Sequence, residues 1–236
     1  MITVVFFLWY NPNERRNKRY VYDAHSVNYA KRAVASNLKC PHRFVVMSDR
    51  SEGFDADIKV VPLNMADFPA KGRYPKLSIF RRDAAEIFGE RILMMDLDLC
   101  VAGDLTPLVE RDEDIVLWTG NPENARAQKG HALYNTSIVL LRAGTRPQVW
   151  DQFDKTRTPS IVHAEHKDGS DQVWVSKMLP GEATWTNRDG IYLAREMGEK
   201  LRADARVVFF PGKENPCRAS TRRLHPWASK KLVAVR

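Results

Sequence analysis

The first half of the chain alternates between apolar runs and amphipathic helical patterns, and this alternation constrains the fold more than any other feature. Residues 2–9 are apolar throughout and predict a strand buried on both faces. Apolar residues at helical spacing predict a helix over about 24–38. Further strands are predicted over 43–47, 58–63 and 91–95. The alternation predicts an α/β fold with a mainly parallel sheet and helices on its faces.

Further elements of the same kinds are predicted between and after these. They are predicted as helices over 77–87, 148–153 and 170–178 and strands over 115–119, 133–141 and 206–210. The sequence contains neither an internal repeat nor a linker-like segment. We therefore predict one domain over residues 1–217, followed by a basic C-terminal extension over 218–236.

The chain is basic, with 37 Lys and Arg against 29 Asp and Glu and a net charge of +8. Such a surface favours anionic partners, although it also serves solubility alone. Residues 218–236 hold cationic side chains and no acidic one, so this extension could rest on anionic lipid or on an acidic acceptor. Nucleic acid is not an expected partner, because no helix-turn-helix, zinc or aromatic RNA-binding pattern accompanies the charge.

The cysteines and the apolar runs indicate a location. Cys40, Cys100 and Cys217 are an odd number without a CxxC pair, which favours a reducing compartment over a disulfide scaffold. The opening apolar run has no basic segment before it and no cleavage-site pattern after it, unlike a signal peptide. No later run reaches the ~18 apolar residues of a membrane span. We expect a cytoplasmic protein, with peripheral contact with the inner membrane as an open alternative.

Two carboxylates, Asp96 and Asp98, directly follow the strand predicted over 91–95. Side chains at i and i+2 of a strand point the same way, and ligands of open α/β sheets bind at the carboxyl ends of strands. Carboxylate oxygens suit Mg²⁺ or Mn²⁺, and such a cation can neutralise a departing diphosphate. The alternative is a pair of solvent-facing carboxylates at a strand end.

Residues 91–108, RILMMDLDLCVAGDLTPL, resemble the DxD region of the GT-A glycosyltransferases, most of all family 8. In that family, a strand ends in DxD, and an apolar strand and a turn ending in Asp-Leu follow. The resemblance implies a GT-A, Rossmann-like nucleotide-sugar-binding domain with a mixed, mainly parallel sheet. It also implies a metal-dependent, retaining transfer of a hexose from a UDP-sugar to a glycan or lipid-linked acceptor, with Asp96 and Asp98 as ligands of Mn²⁺ or Mg²⁺.

The resemblance extends to three residues that would contact the donor. Residues 74–77 resemble the family's Tyr-x-Arg-Leu, which implies that Lys76 contacts the donor; a solvated helix lysine is the alternative. Residues 134–137 resemble Phe-Asn-x-Gly/Ser, which implies that Asn135 contacts the transferred sugar; otherwise it is a turn residue. Tyr10 follows the first strand, where such folds receive the base, and would stack on uracil or pack on the sheet.

Asp171 and Gln172 resemble the family's Asp-Gln at the start of a helix. The resemblance implies that Asp171 binds a hydroxyl of the donor sugar and that Gln172 faces the anomeric carbon. Helix capping is the structural alternative for Asp171. Neither side chain is a strong base, which suits a retaining transfer in which the leaving diphosphate takes the proton of the acceptor.

Residues 207–216 resemble in part the family's closing motif, His-x-x-Gly-x-x-Lys-Pro-Trp. Gly212 and Pro216 agree with it, whereas Phe209 and Asn215 stand where the family has the metal-binding His and the diphosphate-binding Lys. The resemblance implies that Gly212 takes part in binding the substrate.

Two nearby residues could replace the missing groups. Lys213 could reach the diphosphate, and His225, from a tail that folds over the site, could supply an imidazole to the metal, unless it is structural. The losses leave a second hypothesis open, which is a relative that binds nucleotide-sugar or glycan without efficient turnover.

Overall fold

The fold is built on two β-sheets, seen here in a computed structural model. It describes residues 1–10, 22–69, 72–120, 132–166, 171–210, 216 and 219–228. The strands of this part are β1 Ile2–Leu8, β2 His42–Ser48, β3 Ile58–Pro62, β4 Arg91–Met95, β5 Leu99–Val101, β6 Ile115–Gly120, β7 Asn135–Arg142, β8 Ala183–Thr186, β9 Ile191–Leu193 and β10 Val207–Phe209.

Short helices connect these strands. The α-helices are α1 Ala24–Ala35, α2 Ala84–Phe88, α3 Thr106–Val109, α4 Gln148–Asp151, α5 Thr158–Glu165, α6 Asp171–Met178 and α7 Ala219–Leu224. The 3₁₀ helices are Met65–Asp67, Tyr74–Phe80, Asn187–Asp189 and Ala194–Glu196. Among the described residues, no helix is both long enough and apolar enough to cross a membrane.

The larger sheet has seven strands in the order β3-β2-β1-β4-β7-β6-β8. Strands β3, β2, β1 and β4 pair in parallel, β7 is antiparallel to both β4 and β6, and β8 is parallel to β6. A smaller sheet holds β5, β10 and β9 in that order. The prediction of an α/β fold with a mixed, mainly parallel sheet is confirmed.

Strand β1 lies near the middle of the larger sheet, and all seven of its residues are buried. Its alternate side chains enter two different hydrophobic clusters, one on each face of the sheet. A central parallel strand covered on both faces requires apolar side chains on both, which explains the unbroken apolar run. Helix α1 covers one face with Val27, Ala30, Ala33 and Val34.

The prediction of one helix over 77–87 was wrong at its start. A 3₁₀ helix and then a short α-helix, α2, occupy this stretch. The 3₁₀ helix Tyr74–Phe80 has Pro75 in its first turn, and α2 ends at Gly89, whose φ is 101°. All seven residues of the 3₁₀ helix are buried, including the polar Lys76 and Ser78. This helix therefore carries polar groups into the interior, where they need partners.

The part of the predicted C-terminal extension that the structure describes packs against the smaller sheet. Trp227 and Ala228 join Phe210 in a hydrophobic cluster that also contains residues of β5, β9 and β10. Leu224, in contrast, is 65% exposed. Residues 229–236 lie outside the described residues.

Candidate functional site

Polar residues that follow or begin different strands meet at one edge of the larger sheet. Strand β4 ends at Met95, which pairs with Ile138 near the start of the antiparallel β7. The Asp96 backbone N–H donates to the Ser137 carbonyl over 2.8 Å. The carboxyl end of β4 and the amino end of β7 thus form a common edge, the position at which open α/β sheets bind ligands.

The Lys76 ammonium connects the elements of this edge. It donates to Asp96 Oδ1 at 3.0 Å and to the Thr136 carbonyl at 3.2 Å, and its Nζ lies 3.0 Å from Asp171 Oδ2. Asp171, the first residue of α6, is fully buried and also accepts a hydrogen bond from the Thr136 hydroxyl. With only 3% of its side chain exposed, Lys76 is not the solvated helix lysine that the sequence left as an alternative.

The positive charge of Lys76 and the negative charges of Asp96 and Asp171 are stabilised by direct contact between these side chains and not by water. Burial lowers the pKa of Lys76, but the carboxylates of Asp171 and Asp96 raise it more, and the net pKa lies above its ordinary value. Lys76 therefore stays cationic and holds both carboxylates in place. Its ammonium faces groups of the protein itself, so donor contact by Lys76 stays a prediction.

Asp98 has an incompletely satisfied carboxylate. Its backbone carbonyl accepts from the Phe210 N–H at 2.8 Å, which ties it to the end of β10. Its Oδ1 is buried and has no hydrogen-bond partner among the described residues. Burial, together with the nearby Asp96 carboxylate, raises the pKa of Asp98 to about 7. Asp98 is therefore not the solvent-facing carboxylate of the alternative interpretation.

A divalent cation fits this arrangement. A buried carboxylate oxygen without a donor is costly unless a proton or a cation neutralises it, and two neighbouring carboxylates suit hard cations such as Mg²⁺ or Mn²⁺. The described residues include no group of three His, Cys, Asp or Glu side chains that could hold a metal ion. Asp96 and Asp98 therefore lack a third such protein ligand within the part of the chain that the structure describes.

His225 does not join Asp96 and Asp98 in such a group. Its ring packs edge-on against Phe210, with ring centres 5.7 Å apart, and at a tilt against Trp227, with ring centres 5.5 Å apart, and the residue is 6% exposed. Phe210 links the two places, because its N–H bonds to the Asp98 carbonyl and its ring contacts His225. The role of His225 as a metal ligand stays a prediction.

The other predicted residues lie at the same edge or outside the described part. Tyr10, after β1, donates its N–H to Asp49 Oδ2 at 2.6 Å, which joins the ends of β1 and β2. The Asn135 side-chain oxygen accepts from the Ser137 N–H at 2.9 Å, so this amide oxygen is bonded within the first residues of β7. Gln172 is half-buried in the first turn of α6. Gly212 and Lys213 lie outside the described residues.

Sequence reasoning missed the roles of Asp49 and Thr136. Asp49 is a carboxylate just past a predicted strand, which is the same signal that identified Asp96, and it could have been found by that rule. Thr136 occupies an unspecified position of the Tyr-Asn-Thr-Ser stretch. Only the structure shows that its hydroxyl and carbonyl meet Lys76 and Asp171.

Comparison with known proteins shows the class of fold. No protein-family model matches this sequence, and no curated protein sequence matches it. Solved structures of glycosyltransferases do match, so the chain has the GT-A glycosyltransferase fold over nearly its whole length.

Particular enzymes can be named among these structures. One is the galactosyltransferase LgtC in complex with donor and acceptor sugar analogues, with a TM-score of 0.63 and 15% identity, covering 99% of this chain and 94% of that one. An active-site mutant of LgtC gives a TM-score of 0.61 at the same identity and coverage. The glycosyltransferase GlyE of Streptococcus pneumoniae TIGR4 gives 0.63 at 11% identity, covering 99% of this chain and 61% of that one.

We predict that Lys76→Met destabilises the fold severely. The change leaves the buried Asp171 and Asp96 without their cation, and breaking a buried ion pair from one side costs about 3–5 kcal/mol. Urea unfolding measures the loss. Lys200→Met, which changes an exposed lysine, is the matched control and stays within ~0.5 kcal/mol of wild type. Adding Asp171→Asn to Lys76→Met should recover part of the loss; equal stability of the two lysine variants would contradict the role of Lys76.

We predict that Asp98→Asn stabilises the metal-free protein above neutral pH. A raised pKa means that the folded state holds the Asp98 proton more tightly than the unfolded state does. Folding stability therefore falls as the pH rises from the ordinary Asp pKa, about 4, towards 7, and the full penalty applies above 7. Asn avoids that penalty, so the variant gains on the order of 2 kcal/mol at pH 8 and little at pH 4.

Urea unfolding in the presence of a chelator at both pH values measures this difference. Asp112→Asn, at an exposed carboxylate, serves as the control and should show no such pH dependence. If Asp98→Asn were less stable than wild type at pH 8, the Asp98 carboxylate would have favourable partners in the folded protein. This result would contradict the interpretation that its buried Oδ1 is unsatisfied.

Proposed function

We propose that the protein is a retaining hexosyltransferase that takes its sugar from a UDP-sugar and uses Mn²⁺ or Mg²⁺. One observation carries the proposal: within a GT-A fold, Asp96 and Asp98 adjoin at the ligand-binding edge of the sheet, and Asp98 Oδ1 has no partner among the described residues. The LgtC structure, which this chain resembles, holds donor and acceptor sugar analogues, and this supports sugar transfer as the reaction class.

Asp96 and Asp98 would hold the cation. When bound, it would neutralise the negative charge that builds on a departing diphosphate. Lys76 keeps the Asp96 carboxylate oriented through contacts with both of its oxygens, Oδ1 at 3.0 Å and Oδ2 at 3.2 Å. Asp98 is oriented from the other side, because its carbonyl bonds to Phe210. Both ligands are thus positioned before the donor arrives, which limits the cost of binding it.

The nucleotide would bind where β1 and β2 end. Tyr10 is half-buried there, and its backbone is fixed by the Asp49 carboxylate. Its ring supplies an aromatic surface on which uracil can stack. Lys213 and Gly212 remain the residues proposed for the diphosphate, and Asn135 for the transferred sugar.

The chemistry of the site suits a reaction without a protein base. In the transfer, an acceptor hydroxyl oxygen bonds to the anomeric carbon as the bond to the diphosphate breaks. Asp171 is fully buried and held by Lys76 and Thr136, so its carboxylate is already occupied. The Gln172 amide does not ionise. The hydroxyl proton therefore passes to the departing phosphate oxygen, and Gln172 would face the reacting carbon. Contact of Asp171 with a hydroxyl of the donor sugar would require its carboxylate to exchange one of its present partners, Lys76 or Thr136.

A second candidate is a relative that binds the donor or a glycan and turns over poorly. It is favoured by the lack, among the described residues, of a third His, Cys, Asp or Glu beside the Asp96–Asp98 pair. The basic extension 218–236 would in either case serve an acidic acceptor or an anionic membrane surface. Hydrolysis of a UDP-hexose with and without Mn²⁺ separates the candidates, since only the first gives metal-dependent turnover.

We predict that Asp98→Ala abolishes the part of UDP binding that depends on Mn²⁺. The variant loses one of two carboxylate ligands, and we expect the affinity in Mn²⁺ to fall at least about a hundredfold, towards the metal-free value. Titration calorimetry with UDP, with and without Mn²⁺, gives both affinities, and Asp112→Ala is the control. Unchanged affinity in Asp98→Ala would remove the metal role from this pair.

We predict that Gln172→Ala lowers turnover far more than it lowers UDP affinity. Its amide would face the sugar and not the nucleotide, and a contact made mainly in the transition state affects kcat. Gln152→Ala, at an exposed glutamine, is the matched control. The kcat for UDP-hexose hydrolysis is measured beside the affinity for UDP. A collapse of affinity with a retained rate would assign Gln172 to nucleotide binding instead.

A further inference from the structure

The main chain of Asp98 is held by the end of strand β10. This strand lies in the middle of the smaller sheet, between β5 and β9. Its antiparallel pairing with β5 places Phe209 opposite Leu99, and the Phe210 N–H then donates to the Asp98 carbonyl at 2.8 Å. The bond extends the β5–β10 ladder by one residue, so a movement of Phe210 is transmitted directly to Asp98.

The Phe210 side chain packs against two rings from the C-terminal segment. Phe210 is fully buried and belongs, with Val208, to the hydrophobic cluster on one face of the smaller sheet. Its ring centre lies 5.7 Å from that of His225 and 5.9 Å from that of Trp227. The residues after α7 therefore cover the ring whose backbone holds Asp98.

Trp227 has the largest side chain of this cluster, and it is anchored away from β10. It is 7% exposed, and its indole N–H donates to the Gly198 carbonyl at 3.3 Å, beyond the end of β9. Several other members of the cluster are alanines, which cannot extend into space that a larger ring leaves. Loss of the Trp227 ring would therefore leave a void beside Phe210, because a packed core relaxes only partially around a deleted side chain.

Asp98 depends on this support more than Asp96 does. The Asp96 carboxylate contacts the Lys76 ammonium through both oxygens, and the Asp96 N–H bonds to the Ser137 carbonyl. Asp98 Oδ1, in contrast, is buried and has no hydrogen-bond partner among the described residues. The place of this oxygen is therefore set by the main chain of Asp98, and through it by Phe210.

We propose that Trp227 is a positioning residue for the Asp98 carboxylate, which it holds in place through Phe210. The inference rests on the proposed function, in which Asp98 binds a divalent cation, and it assigns Trp227 no contact with the metal or the donor. A metal ligand has to be held within about 0.5 Å of its productive position. The side chains behind a ligand supply that precision.

Hydrogen exchange in the metal-free full chain tests the link from Trp227 to Phe210. NMR follows the amide proton of Phe210 and, as an internal reference, that of the buried Val5 in β1. We expect Trp227→Ala to speed Phe210 exchange about tenfold or more relative to Val5, because the end of β10 then opens locally. Trp227→Phe keeps a ring and should stay within about threefold of wild type.

A matched control comes from another tryptophan. Trp150→Ala makes the same change in α4, where the ring packs against a different hydrophobic cluster. Phe210 exchange relative to Val5 should remain as in wild type. Trp227→Leu, which keeps apolar volume, takes the place of Trp227→Ala if the alanine variant does not fold.

Calorimetry with UDP, in Mn²⁺ and in a chelator, tests the positioning role itself. Changes behind a metal ligand typically weaken metal affinity ten- to a hundredfold. We therefore expect Trp227→Ala to weaken UDP binding about tenfold or more in Mn²⁺ and at most about twofold in the chelator. Trp227→Phe should restore most of the affinity in Mn²⁺. A merely structural role of Trp227 would weaken both affinities alike.

Faster Phe210 exchange, together with a loss of affinity confined to Mn²⁺, supports the inference. Unchanged Phe210 exchange in the Trp227 variants would overturn it, and so would a UDP affinity that falls equally with and without Mn²⁺ or does not fall. These results leave the proposed function intact. A wild-type chain whose UDP affinity does not depend on Mn²⁺ would instead refute the metal role in the proposed function, and this inference with it.

Discussion

The buried contact between the Lys76 ammonium and the carboxylates of Asp96 and Asp171 is the interaction on which the site depends. Each member would be costly to bury alone, and each is tolerable only because the others are present. The contact joins the 3₁₀ helix, the end of β4 and the first turn of α6, with the Thr136 carbonyl and hydroxyl supplying further acceptors. The edge of the sheet is thereby held in one arrangement before any ligand binds.

The fold could be predicted where hydrophobic periodicity is long enough to read. The apolar run that became β1 and the helical pattern that became α1 both proved correct within a few residues. The strands β5 and β9, with three residues each, are too short to show a period. The antiparallel direction of β7 is set by its pairing with β4, and no local pattern specifies that.

The site could be predicted only as far as local sequence reaches. Asp96 and Asp98 were singled out because two carboxylates directly follow a buried strand and the stretch around them resembles the family's DxD region; their role as metal ligands stays a prediction. For Lys76, the sequence left open either contact with the donor or a solvated side chain, and the second alternative is wrong. The residues next to a lysine along the chain do not tell whether it is solvated or buried between distant carboxylates. His225 illustrates the same limit: its packing on Phe210 depends on how the C-terminal segment crosses the smaller sheet.

The 3₁₀ helix Tyr74–Phe80 borders two places in the structure: Lys76 lies in the carboxylate cluster, and Ser78 belongs to the lining of a pocket. Lys76 faces the carboxylates of Asp96 and Asp171, whose charge it balances by contact, and Asp98, whose pKa is raised to about 7, lies beside Asp96. In the pocket, Arg81 and Asp151 pair with residues outside the lining, Asp83 and Arg82, and the Trp150 and Phe153 rings also take part in the lining.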